Sequence, residues 1–99
     1  MSNTKFEIFW TANAKEDLKE IYISLKNKIS KETALKIRDE LFNSTDNIVF
    51  AEQFQLDEYR FDCRRIIIRN YKILYQIQED KIVVIRIFNT FQNPMKSLK

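Results

Sequence analysis

The chain of 99 residues contains no histidine and no glycine. Without histidine it lacks the usual general base near neutral pH and the commonest transition-metal ligand. Without glycine, no glycine-rich loop can bring backbone amides close to a phosphate. The composition therefore argues against nucleotide hydrolysis, dinucleotide binding and zinc catalysis, and we expect neither a metal ion nor any other cofactor.

Cysteine and long apolar runs are also scarce. The single cysteine, Cys63, cannot form an internal disulfide, and we expect it to be a small residue at a strand edge rather than a nucleophile. No apolar run approaches the roughly 18 residues of a membrane span, and the N-terminus lacks the pattern of a secretion signal. These absences predict a cytoplasmic protein with no membrane partner.

The length and charge indicate one small soluble domain. A chain of this size buries roughly 60–70% of the surface that its unfolded form exposes, which is enough for one core. We expect that domain to span residues 1–99, with 95–99 loosely held. The net charge of +3 favours nucleic acid or acidic protein partners only weakly.

β-branched and aromatic residues are densest in three consecutive runs near the C-terminal end. The runs are Ile66–Ile68, Tyr71–Ile77 and Ile82–Phe88, and short polar segments separate them. This pattern predicts an antiparallel three-stranded meander. The alternation is clearest in the middle run, where we expect Tyr71 and Tyr75 to point into the core.

The residues before the meander predict a strand followed by two helices. Alternation over Lys5–Trp10 is typical of a strand, and apolar residues spaced three and four apart then predict helices capped at Thr11 or Asn13 and at Ser30. A short connection requires the helices to form an antiparallel hairpin. We therefore predict an α+β fold of order β-α-α-β-β-β. The hairpin packs on one face of an antiparallel sheet, the first strand pairs at a sheet edge, and residues 49–58 form a loop.

The opposite face of the sheet mixes aliphatic and cationic side chains. If residues 79–80 form a two-residue turn, Tyr75 lies opposite Val84 and Ile73 lies opposite Arg86. A bulge in that turn would reverse the faces of the last strand. Two interpretations stay open: the face is an ordinary mixed surface, or a second polypeptide completes it.

Several short motifs follow one another along the chain. They are the basic pair Arg64-Arg65 before an aliphatic strand, Asn-Tyr-Lys-Ile-Leu-Tyr at 70–75, an acidic turn, Ile-x-x-Ile-Arg-Ile-Phe, and Gln-Asn-Pro at 92–94. Upstream, the matching residues are Trp10, Ala14, Asp17, Leu18 and Ile21. In order and spacing these motifs resemble the RelE/ParE toxins of bacterial type II toxin–antitoxin systems, the plasmid stabilisation protein family. The predicted element order is also the fold of that family.

The resemblance implies a protein that inhibits growth when free and is neutralised by a cognate antitoxin protein. RelE-like members cut messenger RNA in the ribosome, and ParE-like members poison DNA gyrase. RelE-like enzymes place one arginine in the middle strand, another after the last strand, and a C-terminal tyrosine or histidine. Here the two arginine positions hold Lys72 and Gln92, and no tyrosine follows Pro94. The ribonuclease residues are largely absent, which favours a ParE-like toxin, with gyrase as its target by analogy.

Two alternatives stay open. One is a ribosome-dependent mRNA endoribonuclease whose candidate catalytic residues are Arg65, Arg69, Lys72 and Arg86. The other is a degenerate relative that binds an antitoxin but is no longer toxic. The residues that we predict to contact the target or the antitoxin are Arg64, Arg65, Arg69, Lys72, Leu74, Arg86 and Gln92. Arg86 lies within an aliphatic strand, so its charge must be either paired inside the protein or open to solvent and a partner.

Overall fold

The computed structural model describes residues 6–49 and 53–91. The elements are β1 (Glu7–Trp10), α1 (Ala12–Lys28), α2 (Lys31–Asn43), a short 3-10 helix (Ser44–Asn47), β2 (Arg64–Ile68), β3 (Tyr71–Gln78) and β4 (Lys81–Asn89). This order confirms the β-α-α-β-β-β prediction. The predictions made for Gln92, Pro94 and the tail at 95–99 fall outside the described residues. No helix in the described ranges is long and apolar enough to cross a membrane.

Both helices begin at hydroxyl caps. The Thr11 hydroxyl accepts a hydrogen bond from the Ala14 amide at 3.1 Å, so Thr11 rather than Asn13 is the N-cap of α1. The Ser30 hydroxyl accepts one from the Thr33 amide at 3.1 Å and caps α2. Such caps satisfy amide groups that have no partner within the helix. Because so short a connection separates the helices, they fold back on each other as the predicted hairpin.

The sheet has the strand order β1-β4-β3-β2. Strands β2, β3 and β4 form the predicted antiparallel meander, and β1 lies at the edge next to β4, as predicted. However, β1 runs parallel to β4, so the sheet is mixed rather than wholly antiparallel. The two helices form a crossover between β1 and the meander, and a crossover of this length permits parallel pairing.

One face of the sheet packs against the helices and forms the main core. Its buried residues are Trp10, Ala14, Ile37, Leu41, Ile48, Ile66, Tyr71, Ile73, Tyr75, Ile82, Val84 and Ile87. The expected core positions of Tyr71 and Tyr75 are confirmed. Alternation along β3 therefore sends Lys72, Leu74 and Gln76 to the other face, called the outer face below.

A bulge sits inside the last hairpin rather than in its turn. Tyr75 pairs with Val84, as the two-residue turn predicts, but Ile73 pairs with Ile87 and not with Arg86. The register shifts between Leu74 and Tyr75, where the β4 strand carries one extra residue. The extra residue keeps Ile87 on the core face together with Val84.

The chain covers the central part of its own outer face. Leu74 and Phe88 are buried there in a small cluster with Cys63, with Ile85 packed against it. At these positions the outer face is therefore not an open apolar surface that a second polypeptide has to complete. The segment 53–63 supplies the cover. Gln55 and Leu56 pair alongside the start of β2, and Asp57 and Tyr59 then contact Lys72 on the outer face.

Candidate functional site

The outer face holds an ion pair between Lys72 of β3 and Asp57 of the segment 53–63. The Lys72 ammonium nitrogen lies 2.8 Å from the Asp57 Oδ1 atom. Only 7% of the Lys72 side chain and 0% of the Asp57 side chain are exposed. A buried charge requires such a partner, because taking it out of water unpaired costs several kcal/mol.

Asp57 also organises the segment that carries it. Its Oδ2 atom accepts hydrogen bonds from the backbone amides of Tyr59 at 3.0 Å and Arg60 at 2.9 Å. Its own amide donates to the Cys63 carbonyl oxygen at 2.9 Å. The Tyr59 ring then lies over Lys72, with the ammonium nitrogen 5.1 Å from the ring centroid. The carboxylate and the ring together enclose the lysine.

The pKa of Asp57 lies below its ordinary value of 3.8. Burial alone would raise the pKa, but the hydrogen bond from Lys72, the two backbone amides and the lysine charge outweigh it. The carboxylate is therefore ionised at neutral pH. The positive charge of Lys72 is balanced within the protein.

Arg86 is held by Asp17 of α1. The guanidinium makes a bidentate contact, with Nε 2.7 Å from Oδ2 and a terminal nitrogen 3.1 Å from Oδ1. The same Oδ2 atom accepts the Ile87 amide at 3.0 Å. Strand β1 ends at Trp10 and pairs with β4 only as far as Val84. Asp17 therefore accepts the Ile87 amide, which has no partner in β1. Arg86 is thus paired inside the protein, which was the first of its two sequence-based interpretations.

The other predicted cations also have partners. Arg69 makes a bidentate contact with Glu40 of α2 at 2.7 and 2.9 Å. Arg64 donates to the Phe54 carbonyl oxygen at 2.7 Å, and Arg65 donates to the Gln55 side chain at 3.2 Å. These three contacts tie the ends of β2 to the rest of the fold.

The structure brings together only some of the predicted site residues. Arg65 and Lys72 line one groove of about 270 Å³ on the outer face, together with Glu58, Tyr59, Ile67 and Thr90. Arg86 lies on β4 beyond the end of β1, against Asp17 of α1. Arg69 lies at the β2–β3 turn, against Glu40 of α2. Leu74 is 0% exposed, so it does not present a contact surface. Gln92 falls outside the described residues. The candidate ribonuclease residues therefore do not converge on one phosphate-sized site.

Sequence reasoning missed the acidic partners. Asp57 lies in an aperiodic loop, where no sequence spacing pointed to Lys72. Asp17 matches a family motif at the start of the first helix, but nothing in its sequence position linked it to Arg86. Within residues 6–49 and 53–91, no group of three or more His, Cys, Asp or Glu residues is placed to hold a metal ion.

Comparison with known proteins agrees with this fold. Residues 8–94 match the family described as the ParE toxin of the type II toxin–antitoxin system parDE. A search of curated proteins finds no significant match. Among solved structures, a chain of the chromosomal ParDE system from Pseudomonas aeruginosa superposes with a TM-score of 0.76 at 18% identity, over 88% of this chain and 98% of that one.

Two further structures have the same fold at lower similarity. A chain of the RelBE2 toxin–antitoxin complex from Mycobacterium tuberculosis gives a TM-score of 0.58 at 13% identity, covering 89% of this chain and 94% of that one. A doubly substituted RelE toxin from Escherichia coli in the free state gives 0.56 at 14% identity, covering 94% and 92%. The family match spans nearly the whole sequence, and the chain therefore belongs to the ParE toxin family of type II toxin–antitoxin systems.

Proposed function

We propose that this protein is a toxin that inhibits growth by binding DNA gyrase in the cytoplasm, without cleaving RNA, and that a cognate antitoxin protein neutralises it. Membership of the ParE family supports the toxin role. The observation that carries the non-enzymatic part is the buried ion pair between Lys72 and Asp57.

Cleavage of RNA by its own 2′-hydroxyl needs a proton acceptor, cations beside the phosphate, and a donor for the leaving oxygen. Lys72 occupies the middle-strand position at which RelE-like enzymes carry an arginine. A phosphate approaching Lys72 would have to displace a carboxylate that two backbone amides also hold. This arrangement supports a toxin in which the former catalytic position has become a structural ion pair.

The remaining candidate cations support the same proposal. Arg69 and Arg86 each hold a carboxylate in a bidentate contact, which is the geometry that a phosphate would otherwise use. Lys72 is also engaged, whereas Arg65 donates a hydrogen bond to the neutral side chain of Gln55. A single arginine supplies charge but neither the proton acceptor nor the leaving-group donor. Binding to a large protein target needs none of these groups.

The test combines growth with a gyrase assay. Induction of the chain alone should arrest bacterial growth, and co-expression of the protein encoded beside it should restore growth. The purified toxin should inhibit supercoiling by gyrase or trap cleaved DNA on the enzyme. Growth arrest with fully active gyrase would contradict the gyrase target. Unaffected growth at a confirmed level of folded protein would instead favour the degenerate relative.

A further inference from the structure

We propose that the hairpin tip, residues 26–36 at the junction of α1 and α2, binds the phosphate backbone of duplex DNA without regard to base sequence. The cellular role of this site rests on the proposed function, whose target supercoils DNA, whereas the binding itself can be measured without gyrase. The observation behind it is the distribution of charge along the chain.

The hairpin tip carries the whole net charge of the protein. It contains four lysines and one glutamate, which give +3, whereas the remaining sequence has thirteen basic and thirteen acidic residues. Outside the described ranges the only acidic residue is Glu52, so those segments cannot neutralise a charge of +3. The four lysines are all exposed: Lys26, Lys28, Lys31 and Lys36.

The tip lysines form no ion pair with any carboxylate of the described residues. The five ion pairs in these ranges use four arginines and Lys72. The arginine nearest to the tip in sequence, Arg38, contacts Asp39 at 3.0 Å and lies over the Tyr22 ring. Within that part of the chain, the tip lysines therefore remain available to an external anion.

The hairpin tip projects past the end of the sheet. Ser24 of α1 shares a groove with Tyr71 and Asn89, which are the first residue of β3 and the last of β4. On α2, Glu40 reaches Arg69 in the β2–β3 turn. The residues between Ser24 and Glu40 therefore extend beyond the strand ends, where a rod-shaped polyanion can approach them without meeting the sheet.

Helix stability accounts for some of these lysines but not for all of them. Lys26 and Lys28 lie in the last turn of α1, where a cation interacts favourably with the helix dipole. Lys31 is the first residue of α2, where the dipole is positive and a cation is unfavourable. It also follows Lys28 by only three residues, so like charges are crowded at the turn. This placement lowers stability, as expected of a residue positioned for binding.

The side chains of the tip favour a phosphate backbone over a protein or a membrane. Protein interfaces are enriched in arginine and aromatic residues and depleted in lysine, and the tip contains neither arginine nor an aromatic ring. Ile29 is its one exposed large apolar side chain, which is too little to insert into a membrane. Lysine instead supplies a compact, hydrated charge that suits contacts with phosphate groups. Because the tip has no arginine to read base edges, we expect binding that does not depend on base sequence.

The first experiment measures binding of the complete chain, made by cell-free synthesis, to a fluorescent DNA duplex. Anisotropy at several salt concentrations should give a dissociation constant on the order of 10⁻⁵ M at low salt, with a slope of about −2.7 for log affinity against log salt. The tip variant, Lys26→Gln with Lys28→Gln and Lys31→Gln, should bind about ten-fold or more weakly and lose about two units of the slope. Circular dichroism checks that its helices are retained.

The matched control removes the same charge from exposed sites outside the tip. It combines Lys15→Gln, Lys19→Gln and Lys81→Gln, and it should keep most of the affinity and the slope. Equal losses in the two triple variants would overturn the proposal, because total charge rather than the tip would then drive binding. Absence of salt-dependent binding by the wild type would also overturn it. So would displacement of the DNA by polyglutamate at equal charge, which would assign the tip to an acidic protein.

The second experiment separates binding from stability. Lys31→Glu replaces an unfavourable cation at the start of α2, so it should raise the midpoint of thermal unfolding while weakening DNA binding by about five-fold or more. Unchanged DNA binding, or a lower unfolding midpoint, would contradict the role given to Lys31.

The third experiment connects the tip to the proposed target. The tip variant should need about ten-fold more protein than the wild type to inhibit supercoiling equally. Equal inhibition by both would overturn a DNA contact in the gyrase complex. A wild type that binds DNA through the tip but leaves gyrase fully active would contradict the gyrase target and support the DNA site.

Discussion

The Lys72 ammonium nitrogen lies 2.8 Å from the Asp57 carboxylate, and both side chains are buried where the segment 53–63 covers the outer face. This contact joins the middle strand of the sheet to a loop with no regular structure. It also places a carboxylate beside Lys72, the residue that matches the middle-strand arginine of RelE-like enzymes. The stability of the fold and the proposed lack of RNA cleavage can therefore both be tested on these two residues.

Removal of the charge on Asp57 should strongly destabilise the fold. Asp57→Asn leaves the buried ammonium of Lys72 without a counter-charge, and we expect a loss of about 3–5 kcal/mol in the free energy of unfolding, measured in urea. Asp62→Asn is the matched control, because Asp62 pairs with Arg60 at 3.0 Å while 56% of its side chain is exposed, and it should cost less than about 1 kcal/mol.

A double substitution separates the unpaired charge from other effects at the same position. In Asp57→Asn combined with Lys72→Met neither charge remains, so at least about half of the lost stability should return. Equal stability of the single and double variants would mean that the ion pair is not the cause.

The contribution of Asp57 should disappear in acid. Its pKa is lowered in the folded protein, so its stabilising effect is complete above the ordinary value of 3.8 and is lost as the pH falls through the folded-state pKa. The difference in unfolding free energy between the wild type and Asp57→Asn should therefore shrink as the pH falls from about 6 to about 2. A difference that stays constant over this range would contradict an ionised Asp57.

Asp17 should stabilise the edge of β4 through two separable contacts. Asp17→Asn loses the charge opposite Arg86 but keeps an oxygen for the Ile87 amide, and we expect a loss of about 1–2 kcal/mol; Asp17→Ala loses both and should cost about 2–3 kcal/mol. The neighbouring Glu16→Ala, on the exposed side of α1, should change stability by less than about 0.5 kcal/mol. Thermal or urea unfolding gives the order, and equal losses for the two Asp17 variants would exclude the second contact.

Glycine at position 79, in the turn between β3 and β4, should stabilise the fold. Glu79 has a φ of 61°, in the left-handed region, where a Cβ atom is unfavourable. Glu79→Gly should therefore raise the unfolding free energy by up to about 1 kcal/mol, whereas Asp80→Gly next to it should lower it by about 0.5–1 kcal/mol. Similar effects of both substitutions would show that the Glu79 backbone is not strained.

The sequence predicted the parts of this fold that repeat with a regular period. Alternation over residues 71–77 identified the core face of β3, and apolar spacing with Thr11 and Ser30 located both helices. The direction in which β1 pairs with β4 could not be predicted, because a two-helix crossover permits either parallel or antiparallel pairing. The bulge opposite Leu74 could not be predicted from the sequence either, because one extra residue in a strand leaves no local signal in composition.

The site was predicted less well than the fold. The cations were visible because Arg64, Arg65, Arg69 and Lys72 cluster in sequence, but their counter-charges come from distant segments. Asp57 is in a loop, and Glu40 and Asp17 are on the polar sides of helices, where carboxylates are ordinarily solvated. Ion pairs between residues far apart in sequence depend on tertiary contacts, which periodicity does not describe.

The most direct test of the account is a primer-extension map of messenger RNA on translating ribosomes incubated with the purified toxin. If the Lys72–Asp57 pair has replaced the ribonuclease site, the messengers will remain intact at toxin concentrations that inhibit gyrase. Position-specific cuts in the ribosomal A site that disappear in Lys72→Ala would contradict it.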